Sequence, residues 1–329
     1  MRFALLLALL AALVMALFTV SLLVGPAGLT PARALAALIR GEGLAETLVM
    51  REIRLPRALL AVMIGASLGL AGAAMQGYLR NPLAEPGLIG VSGSAALGAV
   101  LALHTGLAAS FALGLPLAAL GGAAVAVGLI LLMAGSGGSS ITLILAGIAV
   151  SAMAGALTSL VLNLSPNPFA ASEIVFWMMG SLADRSMLHV WLALPLMALG
   201  WVLLASLGRG LDALTLGEDA AATMGISLRR LRLVLVAGVA CVVGAGTAVA
   251  GAIGFVGLVV PHILRPVVGA QPSRLLAASA LGGAAMVLAA DIAVRLILPE
   301  RDLKLGVLTA IVGAPLFLHL IYRTRKEGL

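Results

Sequence analysis

A polytopic bundle of about ten transmembrane helices is the fold this chain predicts, and three observations predict it. Only 10% of the residues are charged while 62% are hydrophobic, far from the balance of a soluble globular domain. Uncharged runs long enough to span a bilayer recur along the whole length. Forty glycines stand against seven Phe and two Tyr, which suits helices packed closely through small residues instead of around an aromatic core. The fold class is therefore all-α, with one membrane domain over residues 1–329.

The first element is the uncharged run from Phe3 to Val24, behind Arg2. Ala32-Arg33-Ala34 looks like a signal-peptide cleavage site. The run exceeds the ~7–15 residues of a signal core, however, so an uncleaved first helix is the better reading. The other spans are 57–79, 88–105, 110–134, 139–163, 188–207, 231–250, 253–268, 274–298 and 305–322. Those at 88–105 and 253–268 are short and glycine-broken, and the second is a candidate half-helix. An even count puts both termini on one side. That side is cytoplasmic if the polar interruption Arg209–Arg232 and the tail residues Arg323, Arg325 and Lys326 face inward. Basic residues divide almost evenly between the two faces, so the positive-inside rule supports this orientation only weakly.

The segment from Arg54 to Gly93 is the most informative. Arg54-Leu-Pro-Arg57 opens an apolar span, and Asn81-Pro-Leu-Ala-Glu-Pro-Gly87 closes it with a single carboxylate, Glu85. Ala71-Gly72-Ala73 precedes Pro82 at the spacing by which Ala250-Gly251-Ala252 precedes Pro261. The two segments cross in opposite directions in this topology, the pattern of an inverted repeat. Chance in an Ala- and Gly-rich chain is the competing explanation.

Several chemistries are excluded. Lys304 and Lys326 are the only lysines, and neither follows the glycines of a phosphate-binding loop. Active transport would then draw on an ion gradient or on a partner. The formal charge of +7 sits in short clusters at helix ends, as topology requires, and does not mark a nucleic-acid surface. Cys241 is single, so disulfides and cysteine metal clusters are out. His104, His189, His262 and His319 are scattered, and no metal site or catalytic set emerges from them.

Two constellations remain. Asp291 and Arg295 lie four apart near the outer end of the ninth span, as an intrahelical ion pair that can also present Arg295 at the rim. Residues 212–226 form the other. Thr215 is positioned to cap a short helix from about Leu216, Glu218 and Asp219 suit its first turn, and Gly225 ends it. Two short helices about a glycine turn make a compact knob that fits a partner's groove, against the plainer reading of a solvated connector.

Read together, these residues resemble the permease subunits of ABC importers for iron-siderophores, haem and cobalamin, the FecCD-type family. The matching motifs run in order: Arg54-Leu-Pro-Arg57, Ala71-Gly-Ala-Ala-Met-Gln76, Asn81 to Gly87 with Gly90-Val-Ser92, Leu145-Ala-Gly147 and Trp177-Met-Met-Gly-Ser181. Leu216-Gly-Glu218 with Met224-Gly225, Gly254-Phe-Val-Gly-Leu258, Pro261-His-Ile263, Asp291 with Arg295, and Gly313-Ala-Pro315 follow.

The resemblance implies a homodimer in the bacterial inner membrane, working with two cytoplasmic ATPase subunits and a periplasmic binding protein. ATP and magnesium would bind the ATPases, with no cofactor on this chain. Leu216, Gly217, Glu218, Ala220, Met224 and Gly225 would couple to the ATPases, while Arg54, Arg57 and Arg295 would face acidic residues of the binding protein. Spans five and ten would line the pathway, with the cytoplasmic gate at Gly135, Ser136, Gly137, Gly138, Ser139 and Ser140. One departure is Asp302-Leu303-Lys304-Leu305, where many members carry Glu-Leu-Pro, which places Lys304 at an altered outer lip. Within the family motif Glu85 reads as structural or cytoplasmic-interface. A gradient-driven secondary carrier is the alternative function.

Overall fold

A computed structural model describes residues 3–25, 27–111, 113–135, 140–165, 168–297 and 303–326. The described residues are mostly helical, with no strand. The opening helix is α1 (Phe3–Leu23), and α2 (Pro31–Arg40) follows as a short surface helix. Its start is set by Thr30, whose Oγ1 accepts from the Arg33 amide, and by Pro31. Next, α3 (Leu44–Leu48) runs through π-helical turns at Val49–Arg54 into α4 (Leu55–Leu79). Then come α5 (Val91–His104), α6 (Leu107–Ser110), α7 (Gly114–Ala134), α8 (Ser140–Asn163), α9 (Pro168–Met178) and α10 (Met187–Ala205). Two short helices, α11 (Gly208–Leu214) and α12 (Glu218–Thr223), precede α13 (Leu228–Ala250), α14 (Val256–Leu264), α15 (Pro272–Ile297) and α16 (Leu305–Lys326).

Each of the ten expected spans has a helix. Among the described residues, seven helices are long and apolar enough to cross a bilayer, and Val91–His104 and Leu305–Leu318 are shorter apolar stretches. The eighth expected span is 9 residues of helix, or ~14 Å at 1.5 Å per residue, about half the hydrocarbon thickness. It is the half-helix its glycines suggested. The third begins at Val91 and not at 88, because Pro86–Ile89 forms a separate tight turn ended by Gly90 at φ 79°. Both α2 and α9 escape a search for spans, since each is too short to cross.

Among the long helices described, three are mostly buried. The share of buried residues is 78% in the apolar window of α4, 72% in α13 and 67% in α15, against 11% in α1. Close approach requires the glycines. Gly65 and Gly69 of α4 lie against Gly283 and Ser279 of α15, a small-xxx-small seam on both helices. At Gly72 a Cβ would collide with the Gly257 carbonyl, so α14 and α4 meet backbone to backbone. Direction follows from contacts: α4 ends and α13 begins beside α11 and α12, so these two run oppositely. The face carrying α11 and α12 is the knob face; the far face carries the ends of α1, α13 and α15.

Candidate functional site

Functional side chains gather at three levels: the knob face, mid-depth and the far face. At the knob, α11 ends in a turn and α12 starts at Glu218, with Asp219 beside it in the first turn. Thr215 does not cap α12 as the sequence suggested. Its Oγ1 donates to the Asp212 carbonyl at 2.7 Å, and Gly217 precedes the helix at φ 105°, a conformation open to glycine and strained for other residues. Gly225, at φ 83°, follows the helix, and the Ile226 amide closes back onto the Ala221 carbonyl. Leu216, just before α12, and Met224, just after it, are both exposed. Ala220 is half-buried.

Two polar contacts tie the knob to the membrane helices. Arg80, in the left-handed region at φ 49°, brings Nη2 to 4.0 Å from Glu218 Oε1, both side chains about half exposed. Asp212 is held more tightly. Its Oδ1 accepts from the Ser273 amide at 2.8 Å and its Oδ2 from Gln271 Nε2 at 3.1 Å. Burial pushes this carboxyl upward, but the hydrogen bonds from Ser273 and Gln271 and the charge of Arg274 together hold it below its ordinary value.

At mid-depth the chain breaks twice, and the breaks meet. After α4 the chain folds back until Glu85 Oε1 accepts from the Phe255 amide at 2.7 Å. Glu85 shares a small cavity with Leu68, near the middle of α4, and with Gly257. Phe255, at φ 67°, is the residue from which α14 starts, so the carboxylate sits at a helix N-terminus inside the bundle. Discontinuous helices of this kind meet at the midplane of many transporters. Gln76 ties both ends of α14 to α4: fully buried, it donates Nε2 to the Leu258 carbonyl in the first turn at 3.2 Å, and Arg265 Nη2, just past the last turn, donates to Gln76 Oε1 at 2.7 Å. Glu85 therefore makes a bond between the two breaks. The surprise is its depth, since the sequence placed it in an inner loop.

The far face gathers Arg57 and Arg295 around one carboxylate, with Arg54 held on the end of α1. Asp291 has no exposed surface; its Oδ1 accepts from Arg57 Nε at 2.8 Å and its Oδ2 lies 2.8 Å from Arg295 Nη2. Arg295 also donates Nη1 to the Ser21 and Val24 carbonyls at 2.8 and 2.9 Å and Nη2 to Ser21 Oγ at 2.5 Å. The carbonyls at the end of α1 thus receive a cation, as a helix C-terminus favours.

Sequence reasoning expected three outward arginines, and the structure corrects this for Arg54. Its side chain is buried, 4% exposed, with Nη1 donating to the Leu22 and Leu23 carbonyls at 2.9 and 3.0 Å. Those end-of-helix acceptors outcompete solvent. Arg57 keeps 17% of its side chain exposed and Arg295 keeps 9%. The bond between Arg57 and Asp291 joins residues 234 apart, and only the shared position at helix ends on one face hints at it in the sequence.

The remaining expected sites are placed unevenly. Gly135 ends α7 at φ 57° and Ser140 opens α8; Ser136, Gly137, Gly138 and Ser139 lie outside the described residues, as does Asp302. Lys304 Nζ stands 5.7 Å from the centroid of Phe176 on α9, a cation over a ring face. A cavity of about 740 Å³, walled almost wholly by apolar side chains, opens between α5, α7 and α8. It reaches α8 through Val150, Met153 and Leu157 and does not touch α16. Among the described residues no group of three His, Cys, Asp or Glu is placed to hold a metal ion.

Comparison with known proteins follows the same outline. The model of the FecCD transport family matches residues 13–323. An uncharacterised ABC transporter permease of Bacillus subtilis, YvrB, is 38% identical over 86% of this chain and 81% of its own length. The vitamin B12 import system permease BtuC of Klebsiella pneumoniae is 39% identical over 84% of this chain and 83% of its own. The iron(III) dicitrate transport system permease FecD of Escherichia coli is 39% identical over 84% and 86%. A solved structure described as an inward-facing metal-chelate type ABC transporter superposes with TM-score 0.86 at 33% identity, covering 96% of this chain and 98% of that one. PsaBC of Streptococcus pneumoniae, at 15% identity and TM-score 0.53, shares the fold alone.

Proposed function

The chain belongs to the FecCD transport family and is a permease subunit of an ABC importer, and from that premise we propose how it works. It moves an iron chelate or cobalamin inward across the bacterial inner membrane as a homodimer, with both termini cytoplasmic. Two cytoplasmic ATPase subunits bind ATP and magnesium and seat on the knob; a periplasmic binding protein delivers the substrate to the far face. This chain hydrolyses nothing itself.

The observation that carries this reading is the knob. Leu216 and Met224, on either side of α12, are exposed while Asp212 is bonded to the start of α15. A solvated connector needs neither the exposed apolar pair nor the bond. Binding of ATP would draw the ATPases together, and the knob would pass that movement to helices that tilt as bodies. The segment from Gly135 to Ser140 would form the cytoplasmic gate. On the far face, the binding protein's acidic groups would meet Arg57 first, the most exposed of the three far-face arginines. Arg54 would contribute through the positive potential of the cluster, with its guanidinium held on α1.

Glu218→Arg tests the knob assignment. In a reconstituted complex it should leave the permease folded but sharply reduce ATP-driven uptake, because a positive charge replaces the carboxylate at the proposed interface and faces Arg80. Uptake at the parental rate in that variant would refute the assignment of α12 as a coupling element.

A further inference from the structure

We infer that Asp212 is the joint through which movement of the knob reaches α15, a positioning residue for coupled transport. The inference rests on the chain's working as an importer permease. Four long elements could receive motion from α11 and α12: α10, α13, α15 and α4, whose last turn meets Leu211 at Gly77 and whose cap residue Arg80 faces Glu218. Both α10 and α13 are joined to the knob directly along the chain, so they follow it by covalent connection. α15 has no such link, because α13 and α14 intervene in sequence.

What connects α15 to the knob is contact. Leu211 and Leu214 pack into the apolar core around it, and Gly208 lies against Ser273. Apolar contact is non-directional and lets surfaces slide. Asp212 adds direction, since its two oxygens accept from the Ser273 amide at 2.8 Å and from Gln271 Nε2 at 3.1 Å. Gln271 Nε2 also donates to Ser273 Oγ at 3.0 Å, which fixes the amide in place. A carboxylate in this position satisfies an open N–H of the first turn of α15 and meets the positive end of its dipole. It is a cap supplied by another helix. The Arg80–Glu218 contact, 4.0 Å long and half exposed, reaches α4 and not α15, and it is the weaker link, since charge-assisted bonds of 2.7–2.9 Å are the strong ones.

α15 is suited to carry the movement onward. Its 26 residues make a rod of ~39 Å, backed along its length by α4 through the Gly65, Gly69 and Gly283 seam. At its far end stand Asp291 and Arg295, bonded to Arg57 and to the end of α1. A shift imposed at Ser273 therefore arrives at the cluster proposed to meet the binding protein.

The test uses the full complex of permease, ATPase and binding protein in proteoliposomes, with cobalamin and ferric citrate as probes. Substrate moved per ATP hydrolysed is the readout, alongside co-purification of the ATPase. Asp212→Ala should still assemble and hydrolyse ATP at the basal rate, yet move about tenfold less substrate per ATP, in line with the loss of a charge-assisted bond. Asp212→Asn keeps an acceptor for the Ser273 amide, and Gln271 can turn its own amide to match, so coupling should return to within about twofold of the parent. Parental coupling in Asp212→Ala would overturn the inference, and so would an Asn variant as poor as the Ala one. Should Asp212→Ala fail to assemble, Gln271→Ala decides: reduced coupling supports the joint and parental coupling overturns it. Failure of the parent complex to couple ATP to uptake of either probe would count against the importer reading itself and not against Asp212 alone.

Discussion

Replacing Asp291 with Ala should destabilise the bundle more than any single change on the far face. Asp291 is completely buried and contacts two guanidinium groups at 2.8 Å. Removing one partner of a buried ion pair costs about 3–5 kcal/mol, because the remaining charge is left uncompensated. Arg295 keeps its bonds to Ser21 and Val24, so the stranded charge is mainly that of Arg57. With 17% of its side chain exposed, Arg57 can turn toward water, which places the loss at the low end, about 3 kcal/mol. At about 2 °C per kcal/mol for a chain of this size, the midpoint should fall by roughly 6 °C. Cys241 is the only cysteine and is half-buried on α13. Its reaction with a fluorogenic maleimide during heating in detergent therefore reports unfolding of the interior directly. Asp291→Asn retains an acceptor for Arg57 and should lose less, and Arg57→Ala added to Asp291→Ala should recover part of the loss by removing the stranded charge. A midpoint within 1 °C of the parent for Asp291→Ala, or no recovery in the double variant, would refute this account of the network.

Two other predictions concern the interior and the knob. Glu85→Ala leaves the Phe255 amide without its acceptor, a loss of about 1–3 kcal/mol at a buried donor. Glu85→Gln keeps an acceptor and should transport near the parental level, so equal defects in the two variants would point to the charge instead of the cap. For Asp212, the carboxyl is held below its ordinary value in the folded chain, so near pH 4 the unfolded chain binds more protons than the folded one. The stability Asp212 adds is then complete at neutral pH and is lost as pH falls through the lower folded value. The gap in midpoint between parent and Asp212→Ala should stay constant from pH 8 to 5 and close only below about pH 4. A gap that closes between pH 7 and 5 would contradict the bonding described.

The spans were legible because uncharged runs leave few alternatives in a chain 10% charged, and the half-helix showed as a short, glycine-broken run. Local turn chemistry was read less well. Thr215 looked like a cap, but Gly217 standing directly before Glu218 and Asp219 was the better signal, since φ 105° strains residues other than glycine. Contacts across the bundle were not legible at all. Nothing near Arg57 announces Asp291, and nothing near Glu85 announces Phe255, because both pairs exist only once helices pack. The burial of Arg54 has the same origin: its partners are carbonyls of α1, and carbonyl acceptors carry no sequence mark. Short surface helices such as α2 and α9 escaped because a membrane reading searches for length.

The central claim is that this chain transports only when a partner hydrolyses ATP. The most direct measurement is uptake of cobalamin and ferric citrate into proteoliposomes holding the permease with its ATPase and binding protein, against the permease alone. The account predicts uptake of one probe that requires ATP on the knob side, and none by the permease alone under a proton or sodium gradient. Gradient-driven accumulation by the chain alone would contradict it and establish a secondary carrier.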